Sequence, residues 1–275
     1  MKKLNKVNLG LIPANSYIAE AEKRRATYGV TDRYSTGDIV IDAYLGGGYG
    51  RRFEDGGAYE IITIFGETGS YKSTLATTLI VNPVIKGENV CYFALEDDQA
   101  DVVNRFYFMT GIEPPANLMF LPDQRGYSLD QMKEAMLDIF TIADIIVVDP
   151  ISFIFQNSVL DGREEQFQRQ EVFMNNVNDI MKICNKTIIL TSHVNKGAGE
   201  GMDKILGSSA IQNVSTKVMQ IGRDKNEQPF VRLYKNRFAR HRTTPLSVKV
   251  EHGMIKALNN TPNDLVEMRK RWGDI

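Results

Sequence analysis

The sequence predicts an α/β fold: a mostly parallel sheet flanked by helices, with an antiparallel extension on its C-terminal side. Three observations carry that prediction. Between Tyr59 and Thr191, short apolar runs alternate with segments of helical periodicity, the order that builds a parallel sheet with helices on its faces. The run Tyr59–Phe65 passes into a glycine-containing loop and then into a helical pattern. After Gly207 the pattern changes, and apolar runs follow one another across short turns.

Strands are expected at Tyr59–Phe65, Val90–Leu95, Leu118–Leu121, Ile145–Val148 and Thr187–Thr191. Helices are expected from Ser73, around Ala100–Met109, over Ser128–Ile142 and over Glu164–Cys184. The third is the clearest, because Leu129, Met132, Met136, Ile139 and Phe140 recur at helical spacing. The antiparallel extension is expected to use Lys217–Gly222, Phe230–Lys235, Pro245–Glu251 and Met254–Leu258. Residues 1–33 read as an N-terminal arm with one helix at Ala14–Thr27, capped by Asn15 or Ser16 with Glu20 and Glu22 near its start. A compact domain spans residues 34–258, and residues 259–275 form a tail that ends in a basic segment.

Composition narrows the function classes. The 275 residues hold 33 Lys plus Arg against 34 Asp plus Glu, a formal charge of −1. A polycation that coats nucleic acid is excluded, so any nucleic-acid contact must come from a local basic patch. Cys91 and Cys184 stand far apart in apolar stretches without zinc or disulfide spacing, which predicts buried free thiols in a reducing, cytoplasmic setting. No apolar run approaches the length of a membrane span. The apolar stretch near the start is too short for a secretory signal.

The central motif is Gly66-Glu67-Thr68-Gly69-Ser70-Tyr71-Lys72-Ser73, followed by Thr74. It resembles the Walker A loop, G-x-x-x-x-G-K-[ST]. A strand ends in a flexible loop, and the first amides of the next helix point at phosphate. Lys72 supplies charge to the β- and γ-phosphate oxygens, and the Ser73 hydroxyl holds Mg²⁺. One position departs: Tyr71 stands where the second glycine is expected, and a bulky side chain at positive φ is strained.

Two strands end in acids. Ile145-Ile-Val-Val-Asp149-Pro150 has the Walker B form, with Asp149 at the carboxyl end of the sheet as a Mg²⁺ partner through water or Ser73. An aspartate before proline also caps turns, so the spacing from the phosphate loop favours the metal role rather than fixing it. Cys91-Tyr-Phe-Ala-Leu-Glu96 ends in a carboxylate placed to orient or deprotonate an attacking water. Asp97 and Asp98 are expected to cap the helix that begins near Gln99.

In this order the motifs resemble the RecA-like P-loop ATPase superfamily, above all the ring helicases of the DnaB type and their phage and plasmid relatives, with RadA-like features. The resemblance covers Ser35–Leu258. Ser35-Thr-Gly-Asp-Ile-Val-Ile-Asp42 and Leu45-Gly-Gly-Gly48 are similar to the opening STG-x₃-LD and LGGG segments, with Ile41 in place of leucine. Ile189-Leu-Thr-Ser-His193 is similar to the strand that ends in a γ-phosphate sensor. Gly207–Gln212 and Val218–Arg223 resemble the segment that follows, although Asn213 and Ser215 replace its acids. Lys235-Asn-Arg237-Phe238 resembles the K-N-R segment.

The resemblance implies ATP and Mg²⁺ as cofactors and a catalytic role for Glu96, Lys72, His193, Arg237 and Lys235. Arg237 is then the arginine finger of a neighbouring subunit's site, and Arg223 contacts nucleotide. It also implies a homo-oligomer, ring or filament, on single-stranded DNA. By position, the DNA loops are Ser152–Gln170 and Val194–Ser208. Arg163, Lys196, Gly197, Gly199 and Lys204 are the candidate DNA contacts, while Phe153 and Phe155 read as core. The first implied output is duplex unwinding by a translocating ring. A RecA- or RadA-type recombination ATPase and a non-motor regulatory ATPase are the alternatives.

Overall fold

The computed structural model describes residues 33–50, 60–121, 128–157, 163–194, 201–205, 209–237 and 244–258. The expected arm helix at Ala14–Thr27 and the tail from residue 259 lie outside these residues. In chain order the elements are α1 (Ile39–Leu45), β1 (Glu60–Gly66), α2 (Lys72–Ile85), β2 (Val90–Ala94), α3 (Gln99–Thr110), β3 (Leu118–Phe120), α4 (Leu129–Ile139), β4 (Ile145–Asp149), α5 (Ile151–Asn157) and α6 (Arg163–Cys184). They continue as β5 (Thr187–His193), a 3₁₀ turn (Gly201–Lys204), α7 (Ser209–Val214), β6 (Lys217–Arg223), β7 (Pro229–Asn236), β8 (Leu246–Glu251) and β9 (Met254–Ala257).

The strands form one sheet in the order β3-β2-β4-β5-β1-β6-β7-β8-β9. β3 through β6 are parallel, and β7, β8 and β9 add antiparallel, as the sequence predicts. Alternation along the strands sends Ile62, Ile64, Tyr92, Val147 and Ile189 to one apolar layer and Ile61, Phe65, Phe93, Ile146 and Leu190 to the other. Parallel strands covered on both faces read as continuous apolar runs, which is why β1 and β4 are plain in the sequence.

Local chemistry fixes the helix starts. Ser128 and Gln131 form a capping box at α4, and Asp98 and Asp101 form one at α3. Asp97 does not cap, contrary to expectation. Its carboxylate instead accepts a 2.6 Å bond from Arg105 further along α3, because Asp98 already occupies the cap. At α1, Asp38 accepts from the amides of Val40 and Ile41, and its second oxygen accepts from the Ala257 amide at 3.0 Å. The Ser35–Asp42 motif is thus a clasp that pins the last strand to the start of the domain.

A buried ion pair joins the parallel and antiparallel parts. Glu60 opens β1 and Lys217 opens β6; their charged groups are 3.2 Å apart and both side chains are 0 % exposed. Lys217 also donates to the carbonyls of Leu45 and Gly48, and Glu60 accepts from the Gly50 amide at 2.6 Å. The LGGG segment is therefore held by a charge pair whose remaining hydrogen-bonding capacity it helps satisfy. Burial pushes the Lys217 ammonium below its usual range, and Glu60 opposes that shift.

Two expectations change. Ser152–Gln170, expected as a DNA loop, is helical wherever it is described: α5 covers Ile151–Asn157 and α6 opens at Arg163. The run Ile151-Ser-Phe-Ile-Phe is apolar enough to pack, and Ile151, Ile154 and Phe155 enter the core. Cys184 is half-buried rather than buried. Cys91 is buried as expected, and desolvation pushes its thiol up to about 12, which keeps it inert.

Candidate nucleotide site

Strand register assembles the site. Gly66 at the end of β1 lies beside His193 at the end of β5. Asp149 at the end of β4 lies beside Ala94 of β2, two residues before Glu96. The carboxyl ends of four parallel strands thus meet where α/β sheets bind ligands.

The loop after β1 has the shape of a phosphate cradle. A Cβ at Gly66 would fall 2.3 Å from the Ile221 carbonyl oxygen and 2.4 Å from Ser70 Oγ, so only glycine fits there. Ser70 Oγ is buried and lacks a hydrogen-bond partner, an orphan polar group facing a site made for oxygen ligands. Lys72 is 7 % exposed, and its Nζ donates to the Glu67 carbonyl at 2.8 Å across the loop. Burial lowers the Lys72 pKa, while Asp149 and Glu96 pull it back up. Ser73 and Thr74 follow in the first turn of α2.

Tyr71 adopts φ 71° and ψ 25°, the left-handed conformation that the glycine of a Walker A loop adopts freely, and its side chain makes no cap bond to α2. This conformation costs a non-glycine residue about 1–2 kcal/mol. Arg223, expected to contact nucleotide, sits on this tyrosine. Its guanidinium lies 5.1 Å from the ring centroid, and its Nη2 donates to the phenolic oxygen at 2.7 Å.

Asp149 is 5 % exposed. One carboxylate oxygen accepts from the Tyr92 hydroxyl at 2.6 Å, and the other accepts from the Thr191 hydroxyl. Burial, and then the charge of Asp149, push the Tyr92 phenol well above its usual range, so it remains a donor. Each carboxylate oxygen still has a lone pair for a metal-bound water. Tyr92 and Thr191 were not singled out from the sequence. Tyr92 is hidden in an apolar run, and the one readable signal was Thr191, a hydroxyl two residues before the strand ends at His193. His193 Nε2 lies 3.1 Å from Glu96 Oε2, so the expected base and the expected sensor touch.

A cleft of about 560 Å³ opens beside the loop. Its lining includes Tyr71 and Thr74, Asp101, Asn104 and Phe108 of α3, and His252 at the β8–β9 turn. None of the α3 or turn residues was singled out from the sequence. Among the described residues, no three His, Cys, Asp or Glu side chains are grouped to hold a metal alone. A Mg²⁺ here would rely on Ser73, Asp149 and substrate phosphates, which is how Mg²⁺ usually binds.

Lys235 and Arg237 lie elsewhere. Lys235 pairs with Val218, and the Arg237 amide bonds the Thr216 carbonyl, at the level of Ile61 near the start of β1. Five residues of strand, roughly 17 Å, separate that level from Gly66. Lys235 donates to the carbonyls of Gln212 and Asn213 at 2.7 and 3.1 Å, and Arg237 to that of Asn213 at 2.7 Å. Both cations therefore cap the carbonyl end of α7. Desolvation and Arg237 lower the Lys235 pKa to about 8. Of the candidate DNA contacts, Lys196, Gly197 and Gly199 lie outside the described residues, and for Arg163 and Lys204 only the backbone is described. Lys204 closes the 3₁₀ turn, whose Met202 carbonyl accepts from Gln212 of α7 at 2.8 Å.

Comparison with known proteins agrees with this geometry. A profile described as an AAA domain matches residues 57–199. Two proteins named "DNA repair and recombination protein RadB" are similar. That of Methanoculleus marisnigri is 23% identical over 75% of this chain and 91% of its own. That of Methanococcoides burtonii is 22% identical over 74% and 89%. Among solved structures, a DnaB-like ATPase domain superposes with a TM-score of 0.67 at 12% identity, covering 89% of this chain and 98% of that one. A KaiC-like protein from the archaeon Pyrococcus horikoshii OT3 gives 0.61 at 17% identity, covering 82% and 97%. With a profile match over more than half its length, a phosphate loop on β1 and this sheet order, the chain belongs to the AAA domain family and has a RecA-like P-loop ATPase core.

Proposed function

We propose that this chain is an oligomeric Mg²⁺-dependent ATPase that works on single-stranded DNA, with each ATP site completed by a neighbouring subunit. One observation carries the reading: Lys235 and Arg237 sit at the far end of the sheet from the phosphate loop of their own chain. A cation about 17 Å away along the strands does not stabilise charge on its own subunit's phosphates. It is free to serve the next subunit in a head-to-tail assembly.

In this reading Lys72, the loop amides, Ser73 and Thr74 hold the triphosphate, and the cleft beside Tyr71 takes the nucleoside. Ser73 and Asp149 hold Mg²⁺, which neutralises phosphate charge when bound. Tyr92 and Thr191 keep the Asp149 carboxylate in one orientation. Glu96 orients the attacking water, and His193 fixes Glu96 and senses the γ-phosphate. Arg237 of the neighbour, supported by Lys235, stabilises charge that develops in the transition state. Because both cations cap α7, and α7 holds the turn that ends at Lys204, loss of phosphate is transmitted to the second candidate DNA loop.

The motif order favours translocation on single-stranded DNA with duplex unwinding. A second reading, a DNA repair or recombination ATPase, is favoured by the named RadB relatives. Oligonucleotide-stimulated phosphate release tests the shared part. Stimulation that falls steeply with salt is expected, and turnover indifferent to DNA contradicts it. Forked-duplex unwinding and strand-exchange assays on the same preparation then separate the two outputs. Lys204→Ala is expected to weaken oligonucleotide binding more than DNA-free hydrolysis, and superimposable binding curves would remove the second loop from the account.

A further inference from the structure

We infer that Arg223 is a positioning residue that presets the phosphate loop through Tyr71, so that a charged side chain on the antiparallel extension stands in for the missing glycine. The inference rests on the reading of this loop as a phosphate site. Tyr71 is the residue immediately before Lys72, and it is held at φ 71°. Its direction sets where the first amides of α2 and the Lys72 side chain begin. A glycine takes that conformation freely, whereas tyrosine needs external restraint.

The restraint is visible on both sides of the ring. One side packs on the apolar layer that contains α2. Arg223 lies over the ring at 5.1 Å and donates to its hydroxyl at 2.7 Å. Arg223 is itself aimed. It ends β6, opposite Pro229 of β7, and its other guanidinium nitrogen pairs with Glu227 in the hairpin turn at 3.3 Å. Asp224 holds that turn closed by accepting from the amides of Asn226 and Gln228. The β6–β7 hairpin thus delivers a planar cation to the one strained residue of the loop, and Arg223 spends its described contacts on Tyr71 and Glu227.

A double-mutant cycle on the full chain tests this, reading equilibrium binding of a fluorescent ATP analogue with Mg²⁺ and the steady-state KM and kcat. Arg223→Ala is expected to weaken analogue binding about tenfold, the scale of one lost stacked and hydrogen-bonded contact, and to appear in KM more than in kcat. Tyr71→Phe, which keeps the stack and loses the hydroxyl, is expected to lose about threefold. In a Tyr71→Gly background, Arg223→Ala is expected to change affinity by less than about twofold. Arg223→Lys, which lacks the plane, is expected to recover part of the loss. Equal losses from Arg223→Ala in both backgrounds would overturn the inference, because they would place Arg223 directly on nucleotide. No loss in either background would overturn it as well. Thermal melting of each variant separates misfolding from loop effects. Lys72→Ala is the control: undiminished analogue binding there removes the phosphate-loop reading itself, independently of the cycle.

Discussion

The parallel and antiparallel parts of the sheet hold their charged groups in opposite states. At the carboxyl ends of β1, β2, β4 and β5, strand register brings Lys72, Asp149, His193 and Glu96 together within one chain. Their partners are other members of the same site: Tyr92 and Thr191 on Asp149, and Glu96 on His193. At the opposite end of β6 and β7, Lys235 and Arg237 spend their hydrogen bonds on backbone carbonyls of α7. One chain therefore carries the phosphate grip, the metal partners and the water-directing acid, but not the transition-state cation. Topology sets this division. β7 runs antiparallel to β6, so residues that follow the hairpin return to the wrong end of the sheet.

The division is most exposed to test at the phosphate grip. Lys72→Ala is expected to reduce ATP turnover to background in a phosphate-release assay, and turnover at the wild-type level would remove the parallel part as the site. Next in size is Arg237→Ala. It is expected to lower kcat by about 10³ while nucleotide affinity stays within a few-fold, as measured by steady-state kinetics beside equilibrium binding. A loss confined to affinity would place Arg237 in the grip of its own chain.

The seam between the two parts gives the third test. Lys217→Met leaves Glu60 buried without its cation and is expected to cost about 3–5 kcal/mol of stability, seen as a lower melting temperature. The double variant Glu60→Leu, Lys217→Met is expected to recover much of that loss, because it removes both buried charges. A melting temperature unmoved by Lys217→Met would show that the seam does not need the pair.

A pH dependence is the mildest consequence. Burial and Arg237 lower the Lys235 pKa to about 8, so the charged form is lost as pH rises through 8. Since kcat/KM reports groups of the free enzyme, it is expected to fall by a few-fold across that range. Lys235→Arg, which stays charged, is expected to flatten the limb. For folding the sign is the reverse. The depressed pKa means that the Lys235 contribution is fully present above the unfolded lysine range and is lost as pH falls through about 8. A kcat/KM limb that survives Lys235→Arg would assign the titration to another group.

Much of this was legible in the sequence, because the signals were local. The phosphate loop, Asp149 and Glu96 each terminate a continuous apolar strand, and buried parallel strands announce themselves in that way. The later hairpins were legible as short apolar runs between turns. What escaped reading depends on contacts across long stretches of chain. Tyr92 looks like core until register sets it beside Asp149 57 residues later. Arg223 meets Tyr71 over a separation of 152 residues. Ser152–Gln170 failed for another reason: family position suggested a loop, while its own apolar run Ile151–Phe155 favoured a packed helix. Asp97 and Asp98 were indistinguishable as caps until geometry gave the cap to Asp98 and Arg105 to Asp97.

Whether one subunit's grip is completed by the next subunit's cation is decided by mixing two inactive variants. Lys72→Ala keeps Arg237, and Arg237→Ala keeps Lys72. In an equimolar mixture, a head-to-tail assembly joins an intact grip to an intact cation at about one interface in four, so roughly a quarter of wild-type turnover is expected to return. A mixture no more active than the average of its two components would rule out the shared site.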